Sequence, residues 1–322
     1  MNKLLTVGAT ILFICLAFTP EITADETNFG NILYVGGTGP GNYSRIQDAI
    51  NDASEGDTVF AYSGTYYENL LLYDKNMINL IGESKDNTVI DGGDKNNVIH
   101  INQCTEISIS NFKIENSKKG NNNGLQYAGI LISNCNDILL ENNKIIHNEV
   151  GVVIDDGNWT EIMYNNISNN EGGIFVNPSD LTMIWRNDIG FNREDGIRLN
   201  KAGEVGIVYN NINLNSHSGI YLYRSPVIIY NNRIERNLYG LYVPTILAFF
   251  NNTVYCNNFI NNGENVFDNC FLMNRYINNF WDDWIGLKYE NLNFLPYKIS
   301  WFKFDLSPEK EPYDIPLWEV AS

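Results

Sequence analysis

The sequence predicts an all-β protein: a single-stranded, right-handed parallel β-helix with three short strands per coil of about 22 residues, closed by an N-terminal capping helix and a C-terminal aromatic cap. Three observations predict it. A Gly returns every 21 to 23 residues, at Gly129, Gly151, Gly173, Gly196, Gly219 and Gly240, and an apolar-x-apolar triplet follows each one. Asn143, Asn165, Asn187, Asn210, Asn232 and Asn257 each open an Asn-x-Ile or Asn-x-Phe motif. Five residues later stands a second Asn column: Asn148, Asn170, Asn192, Asn215, Asn237 and Asn262. Columns in constant phase mean that every coil makes the same corners. Asn and Gly tolerate left-handed backbone at a turn, and Asn stacked on Asn bonds side chain to side chain. No repeat carries a helical period of useful length, which disfavours an α-solenoid.

Taken in order, Met1 to Ala24 has Lys3, an apolar core from Leu4 to Phe18 and then Ile22-Thr23-Ala24. It reads as a signal peptide cleaved after Ala24, with an apolar run shorter than the ~20 residues a spanning helix needs. The mature chain is expected to be a soluble monomer that is secreted, periplasmic or on the cell surface, with no membrane insertion after processing. Residues 25–55 hold a lead-in strand, Ile32 to Val35, and an amphipathic helix between Tyr43 and Ala53 that puts Ile46, Ala49, Ile50 and Ala53 on one face. The helix is expected to plug the open apolar end of the first coil. The β-helix is expected to occupy residues 56–277, with a polar loop from Asn116 to Gly124 inserted into one coil. The repeat is read as stopping after Phe271, and residues 278–322 form a Trp/Tyr/Pro-rich cap or tail.

The formal charge of −17 excludes nucleic acid and anionic membranes as natural partners. Cys104 precedes Ile107-Ser108-Ile109 as Cys135 precedes Ile138-Leu139-Leu140. The two therefore share one phase on consecutive coils, and either a disulfide or a buried thiol column satisfies that spacing. Cys256 and Cys270 form a second candidate pair near the end of the stack.

If the outer residues of each triplet point inward, the middle ones face out. They form a column of Leu131, Val153, Phe175, Arg198, Tyr221 and Tyr242. The next outward column is Ser133, Asp155, Asn177, Asn200, Tyr223 and Pro244. Flat rings stack on sugar faces, while Asn, Asp and Arg bond hydroxyls or a carboxylate. The ~4.8 Å spacing of coils is close to one sugar unit. Phe175, Asn177, Arg198, Asn200, Tyr221, Tyr223 and Tyr242 are thus the expected ligand-binding residues for a polysaccharide or glycan. Columns of exposed rings also stabilise stacked strands without any ligand.

Asp155 and Asp156, with Arg198 between the columns, are the candidate catalytic residues of a polysaccharide-active enzyme, and Glu194 and Asp195 make a further carboxylate pair two coils along. Paired carboxylates serve a glycosidase, or hold Ca2+ against a uronate while a base removes a proton. The run Asp155-Asp156-Gly157 also suits a plain turn.

Several segments together resemble the NosD-type β-helix proteins. They are Arg45-Ile46-Gln47 with Ala49-Ile50, Glu55-Gly56-Asp57-Thr58-Val59, Ser63-Gly64-Thr65-Tyr66-Tyr67-Glu68, Leu80-Ile81-Gly82, Val89-Ile90-Asp91-Gly92, and the ending Asn279-Phe280-Trp281-Asp282-Asp283-Trp284-Ile285-Gly286. The resemblance covers nearly all of the mature chain and extends to a wider group of carbohydrate-binding proteins and sugar hydrolases with the pectin-lyase-like fold. It implies an extracytoplasmic β-helix and, through the family's namesake, a copper-delivery accessory of an ABC transporter. Copper needs imidazole or soft ligands. His100, His147 and His217 lie in different phases and Met77, Met163, Met183 and Met273 are scattered, so the residue content argues against copper and names no certain cofactor. Pectin methylesterases are similar at the opening motifs, but their Asp/Asp/Arg active-site strings are not recognisable here.

Overall fold

The structure, a computed structural model, describes residues 30–122, 125–244, 252–270, 274–284, 288–289, 292–293, 297–300 and 303–315. The expected leader therefore lies outside the described residues, as do Asn251, Met273, Ile285 and Gly286. The chain is an all-β, right-handed parallel β-helix. Its first face is built from Leu70–Tyr73, Ile99–Asn102, Gly172–Val176, Ile197–Asn200, Ser218–Tyr223, Tyr239–Val243 and Glu264–Asp268. Between Ile99–Asn102 and Gly172–Val176 the face is continued by the leading halves of two 14-residue strands, Ala128–Glu141 and Val150–Met163. The trailing halves of those strands belong to the second face, which otherwise includes Asp180–Trp185 and Val205–Val208. The third face has ten strands among the described residues, from Gly64–Tyr66 to Phe280–Trp281.

Period-2 alternation decides what each face buries. Ile130, Ile132, Val152, Ile154, Ile174, Val176, Ile197, Leu199, Ile220 and Leu222 are all inward and at most 1% exposed. Ile145, Ile167, Ile189, Ile212 and Ile234 fill the core from the third face at full burial. Each sits two residues after a ladder Asn.

Both Asn columns are buried ladders that run through the wall. Asn165 donates its backbone N–H to Asn187 Oδ1 (2.9 Å) and its Nδ2 to the carbonyls of Leu140 (2.8 Å) and Met163 (2.9 Å). Asn187 repeats the pattern onto Asn210, Ile162 and Trp185. The second column does the same from Asn148 to Asn262. An amide is the side chain that supplies both an acceptor for the preceding coil's N–H and donors for two carbonyls.

The local reason for Asn and Gly differs from the expected one. The left-handed corners fall on the residue before each ladder Asn: Tyr164 (φ 57°), Arg186 (57°) and Tyr209 (56°) in one series, Phe191 (57°) and Leu214 (53°) in the other. The ladder Asn itself is held by hydrogen bonds. The repeated Gly residues have no positive φ. They are required by crowding, since a Cβ on Gly173 would lie 2.2 Å from the Gly196 carbonyl oxygen and one on Gly196 would lie 2.7 Å from Asn215 Nδ2.

At the N-terminal end the helix spans Ile46–Asp52, buries Ile46, Ala49 and Ile50, and packs on the strands Ile32–Val35, Thr58–Ala61 and Leu70–Tyr73. Buried Glu68 accepts the N–H groups of Ile46 (2.8 Å) and Gln47 (3.1 Å) at its first turn. Inside the stretch read as an inserted loop, Ser117 still donates its N–H to Asn148 Oδ1 (3.0 Å), so the departure from the coil begins after it. A short antiparallel pairing of Asn121–Asn122 with Leu125–Gln126 follows.

The repeat continues past Phe271, beyond its expected end. Arg275–Ile277 and Phe280–Trp281 pair in parallel with Thr253–Tyr255 and Asn258–Ile260. Asn257 donates to Asn279 Oδ1 (3.0 Å), and Trp281 takes the inward position, stacked between Phe259 (4.5 Å) and Tyr297 (4.4 Å). Fully buried Asp305 then stands where the next ladder Asn would be. It accepts from Asn279 N (2.9 Å) and Nδ2 (3.1 Å) and from Trp281 Nε1 (3.1 Å). Cys104 and Cys135 are buried free thiols in one phase, with Cys104 N 3.4 Å from Cys135 Sγ, and Cys256 is also a free thiol.

Two outcomes are expected. Asn187→Ala removes an acceptor and two donors from a buried corner and lowers unfolding stability by about 3 kcal/mol, whereas the exposed side-chain pair of Asn158 and Asn136 makes Asn158→Ala nearly neutral; urea midpoints of the two variants check this. Burial raises the Asp188 pKa against the hydrogen bonds from Asn211 and Asn213 that lower it. The folded state therefore keeps that proton to a higher pH than the unfolded chain, and stability falls as pH rises above the ordinary carboxylate value. Asn occupies the same position on both neighbouring coils, at Asn166 and Asn211. Asp188→Asn is accordingly expected to raise the urea midpoint at pH 7 more than at pH 4.

Candidate functional site

The outward residues of the first face line a groove of about 730 Å³. Parallel register stacks His100, Leu131, Val153, Phe175, Arg198 and Tyr221 in one column. Asn102, Ser133 and Asp155 stand beside them, and Asn177, Asn200 and Tyr223 complete the lining. Six coils at ~4.8 Å give a track of about 24 Å along the coil axis.

At its middle the floor is apolar and closed. Ala128, Val150, Val153 and Phe175 form a small cluster outside the barrel core, with Leu131 packed against it. Phe175 was expected to offer an open ring, but it is only 6% exposed. Its ring lies over Gly172, where a Cβ would come 2.5 Å from the ring, and Arg198 covers it at 4.5 Å.

Arg198 lies between the Phe175 and Tyr221 rings, 5.3 Å from the latter. Its Nε donates to Asp195 Oδ2 (2.7 Å) and its Nη2 to Glu194 Oε2 (3.2 Å). Asp195 is fully buried, and its other oxygen takes His217 Nδ1 (2.6 Å) and the Ser218 N–H (3.1 Å). A desolvated carboxylate is tolerable because both of its oxygens have donors, one of them a guanidinium. With Nδ1 held by Asp195, the basic nitrogen of a neutral His217 is Nε2. His217 sits edge-on to Tyr239 (5.6 Å) and Tyr242 (5.5 Å). Tyr242 stacks between Tyr221 (5.7 Å) and Phe267 (4.8 Å), so it extends the aromatic column beyond the groove lining. At the other end His100 Nε2 lies 3.3 Å from Ser133 Oγ, and burial pushes its pKa below the usual imidazole value. Burial likewise raises the Tyr221 phenol.

The structure thus gathers Phe175, Asn177, Arg198, Asn200, Tyr221 and Tyr223 in one groove and leaves Tyr242 just outside. It separates the expected carboxylate pair. Asp155 lines the groove, while Asp156 turns away at a left-handed corner (φ 60°), exposed, with its N–H on the Pro178 carbonyl (2.9 Å). The left-handed corner at Asp156 leaves its side chain outside the groove lining that Asp155 joins. The Asp195–His217 pair was not singled out as a site from the sequence. A signal existed: Asp195 occupies the phase that holds Ala128, Val150 and Gly172 on earlier coils.

Among the described residues no group of three or more His, Cys, Asp or Glu side chains is placed to hold a metal ion, and no helix is long and apolar enough to cross a membrane. Asp195→Ala, which strands Arg198 and His217, is expected to lower stability by about 3 kcal/mol. Glu194→Ala, with a half-exposed side chain, should cost under about 1 kcal/mol. Chemical denaturation of both checks the difference.

Solved structures share the fold. An alginate lyase from Paenibacillus sp. str. FPU-7 matches with 13% identity and a TM-score of 0.54, over 76% of this chain and 97% of that one. Pectate lyase Pel9A matches with 14% identity and a TM-score of 0.56, over 78% and 75%. The periplasmic alginate epimerase AlgG is 19% identical with a TM-score of 0.48 over 65% of this chain, which spans half of the epimerase's length. No curated protein sequence matches the chain. The model of the family described as periplasmic copper-binding protein (NosD) matches residues 50–286, and the chain belongs to that family.

Proposed function

We propose that this periplasmic-family β-helix binds a polysaccharide or glycan chain along the groove of its first face. The observation that carries the reading is the in-register line of Asn102, Ser133, Asp155, Asn177, Asn200 and Tyr223, amide, hydroxyl and phenol groups around one carboxylate, with Tyr221 in the neighbouring column and an apolar floor beside it. Hydroxyl recognition needs neutral donors and acceptors on a pre-formed surface, with rings for the sugar faces. At one sugar per coil, about five units fit the track. The alginate lyase and the pectate lyase, whose names state polysaccharide substrates, share the fold. That likeness supports the reading without naming the glycan.

A second reading, a polysaccharide-active enzyme, is favoured by one arrangement: the His217 imidazole oriented by buried Asp195 at the groove's edge. An imidazole so held has the geometry of a general base. The copper implied by the family description fits the residues poorly. His100 faces Ser133, His147 lies 3.8 Å from Glu115, and His217 is held by Asp195, so these contacts bring no second soft or imidazole ligand to any of the three. The stacked pair Cys104 and Cys135 is at most 1% exposed. No step is derived through copper.

Affinity electrophoresis against a polysaccharide panel, with and without Ca2+, tests the reading while product analysis runs in parallel. Retention is expected, weakened about tenfold, or roughly 1.4 kcal/mol, by Tyr221→Ala or Asn200→Ala and unchanged by Leu238→Ala, an exposed site off the groove. Products lost in His217→Ala would establish the enzyme reading. No retention and no products would end both.

A further inference from the structure

The groove's charge arrangement specifies a ligand class, an inference that rests on the glycan-binding reading above. We propose that the groove selects an uncharged, hydroxyl-rich glycan and rejects polyuronates, because its one inward cation, Arg198, is already bound to Asp195 and Glu194.

A polyuronate presents a carboxylate on every sugar, so a site for it needs cations aimed into the track or acidic residues clustered around a bridging divalent ion. Arg198 is the guanidinium that lines the groove. Both its faces are covered, by Phe175 at 4.5 Å and Tyr221 at 5.3 Å. Its Nε and Nη2 edges are taken by Asp195 and Glu194. Asp155 adds a further negative charge to the lining. His100, the other basic group there, has its pKa lowered by burial and is neutral at pH 7. Lys201 and Arg224 are exposed and outside the lining, and Arg224 lies over the Tyr223 ring at 5.3 Å. Solvent and salt screen charges so placed.

A bridging-ion route to uronates also lacks its ligands: Asp156 lies outside the lining, and among the described residues no group of three or more His, Cys, Asp or Glu side chains is placed to hold a metal ion. The chain's formal charge of −17 repels a polyanion at longer range. The groups that do reach the track, Asn102, Ser133, Asn177, Asn200 and Tyr223, are uncharged donors and acceptors suited to hydroxyls. Arg198 is therefore a pillar that fixes the Phe175 and Tyr221 rings.

Calorimetric titration of the mature chain tests this with hexasaccharides of glucose, mannose and N-acetylglucosamine, of mannuronate and galacturonate, and of glucosamine. At least one neutral oligomer is expected to bind about tenfold tighter than either uronate, and its Kd should change less than about twofold between 50 and 500 mM NaCl. Glu194→Gln frees one edge of Arg198 and is expected to shift the uronate-to-neutral affinity ratio about fivefold toward uronates. Tighter binding of a uronate, or of the glucosamine oligomer, overturns the inference while leaving glycan binding intact, as does an unmoved ratio in Glu194→Gln. Failure of every oligomer to bind overturns the groove's glycan reading itself, and this inference with it.

Discussion

The rest of the structure depends on the vertical hydrogen bonding of buried Asn side chains. Parallel strands of three or four residues are too short to hold a register alone, and a one-residue slip would turn each inward Ile outward. The ladders prevent the slip, because Asn165 and Asn187 engage the N–H of one coil and the carbonyls of another in one set of contacts. Each corner thereby locks the next. The termini solve the same problem by other means: Glu68 holds the first turn of the helix at one end, and Asp305 substitutes for an absent Asn at the other.

Register is also what makes the groove. The first face can present a straight line of side chains because every coil repeats its phase, so function on this surface is a decoration of positions the ladder has already fixed. The apolar cluster around Phe175 fills the track's floor, and the Arg198 network stiffens its rim. Neither contributes to the barrel core.

How much was legible in the sequence follows from what repeats and what does not. The Gly, Asn and triplet columns yield the coil, its phase and the inward Ile residues, because every coil restates them. The physical reasons at the corners were less visible. Tyr164, Arg186 and Phe191 adopt left-handed backbone that composition does not advertise, and the Gly column answers to carbonyls 2 to 3 Å from a would-be Cβ. The repeat seemed to end at Phe271, although Asn279 follows Asn257 by the usual interval and Trp281 fills an Ile position. Its completion by Asp305 comes from a segment with no period at all. At the site, the outward columns and the Asp195 carboxylate were legible, yet its pairing with His217 was not, since a contact between coils depends on side-chain direction. Asp155 and Asp156 part for the converse reason: only Asp155 joins the groove lining, and Asp156 stands at a left-handed corner.

The central claim is that the first face is the surface on which a glycan lies, and a crystal structure of the mature chain with a neutral hexasaccharide tests it most directly. The account predicts a sugar chain parallel to the coil axis, with hydroxyls on Asn177 and Asn200 and a ring face against Tyr221 or Tyr223. A glycan seated on the second or third face, or across the coils with none of these contacts, would contradict it.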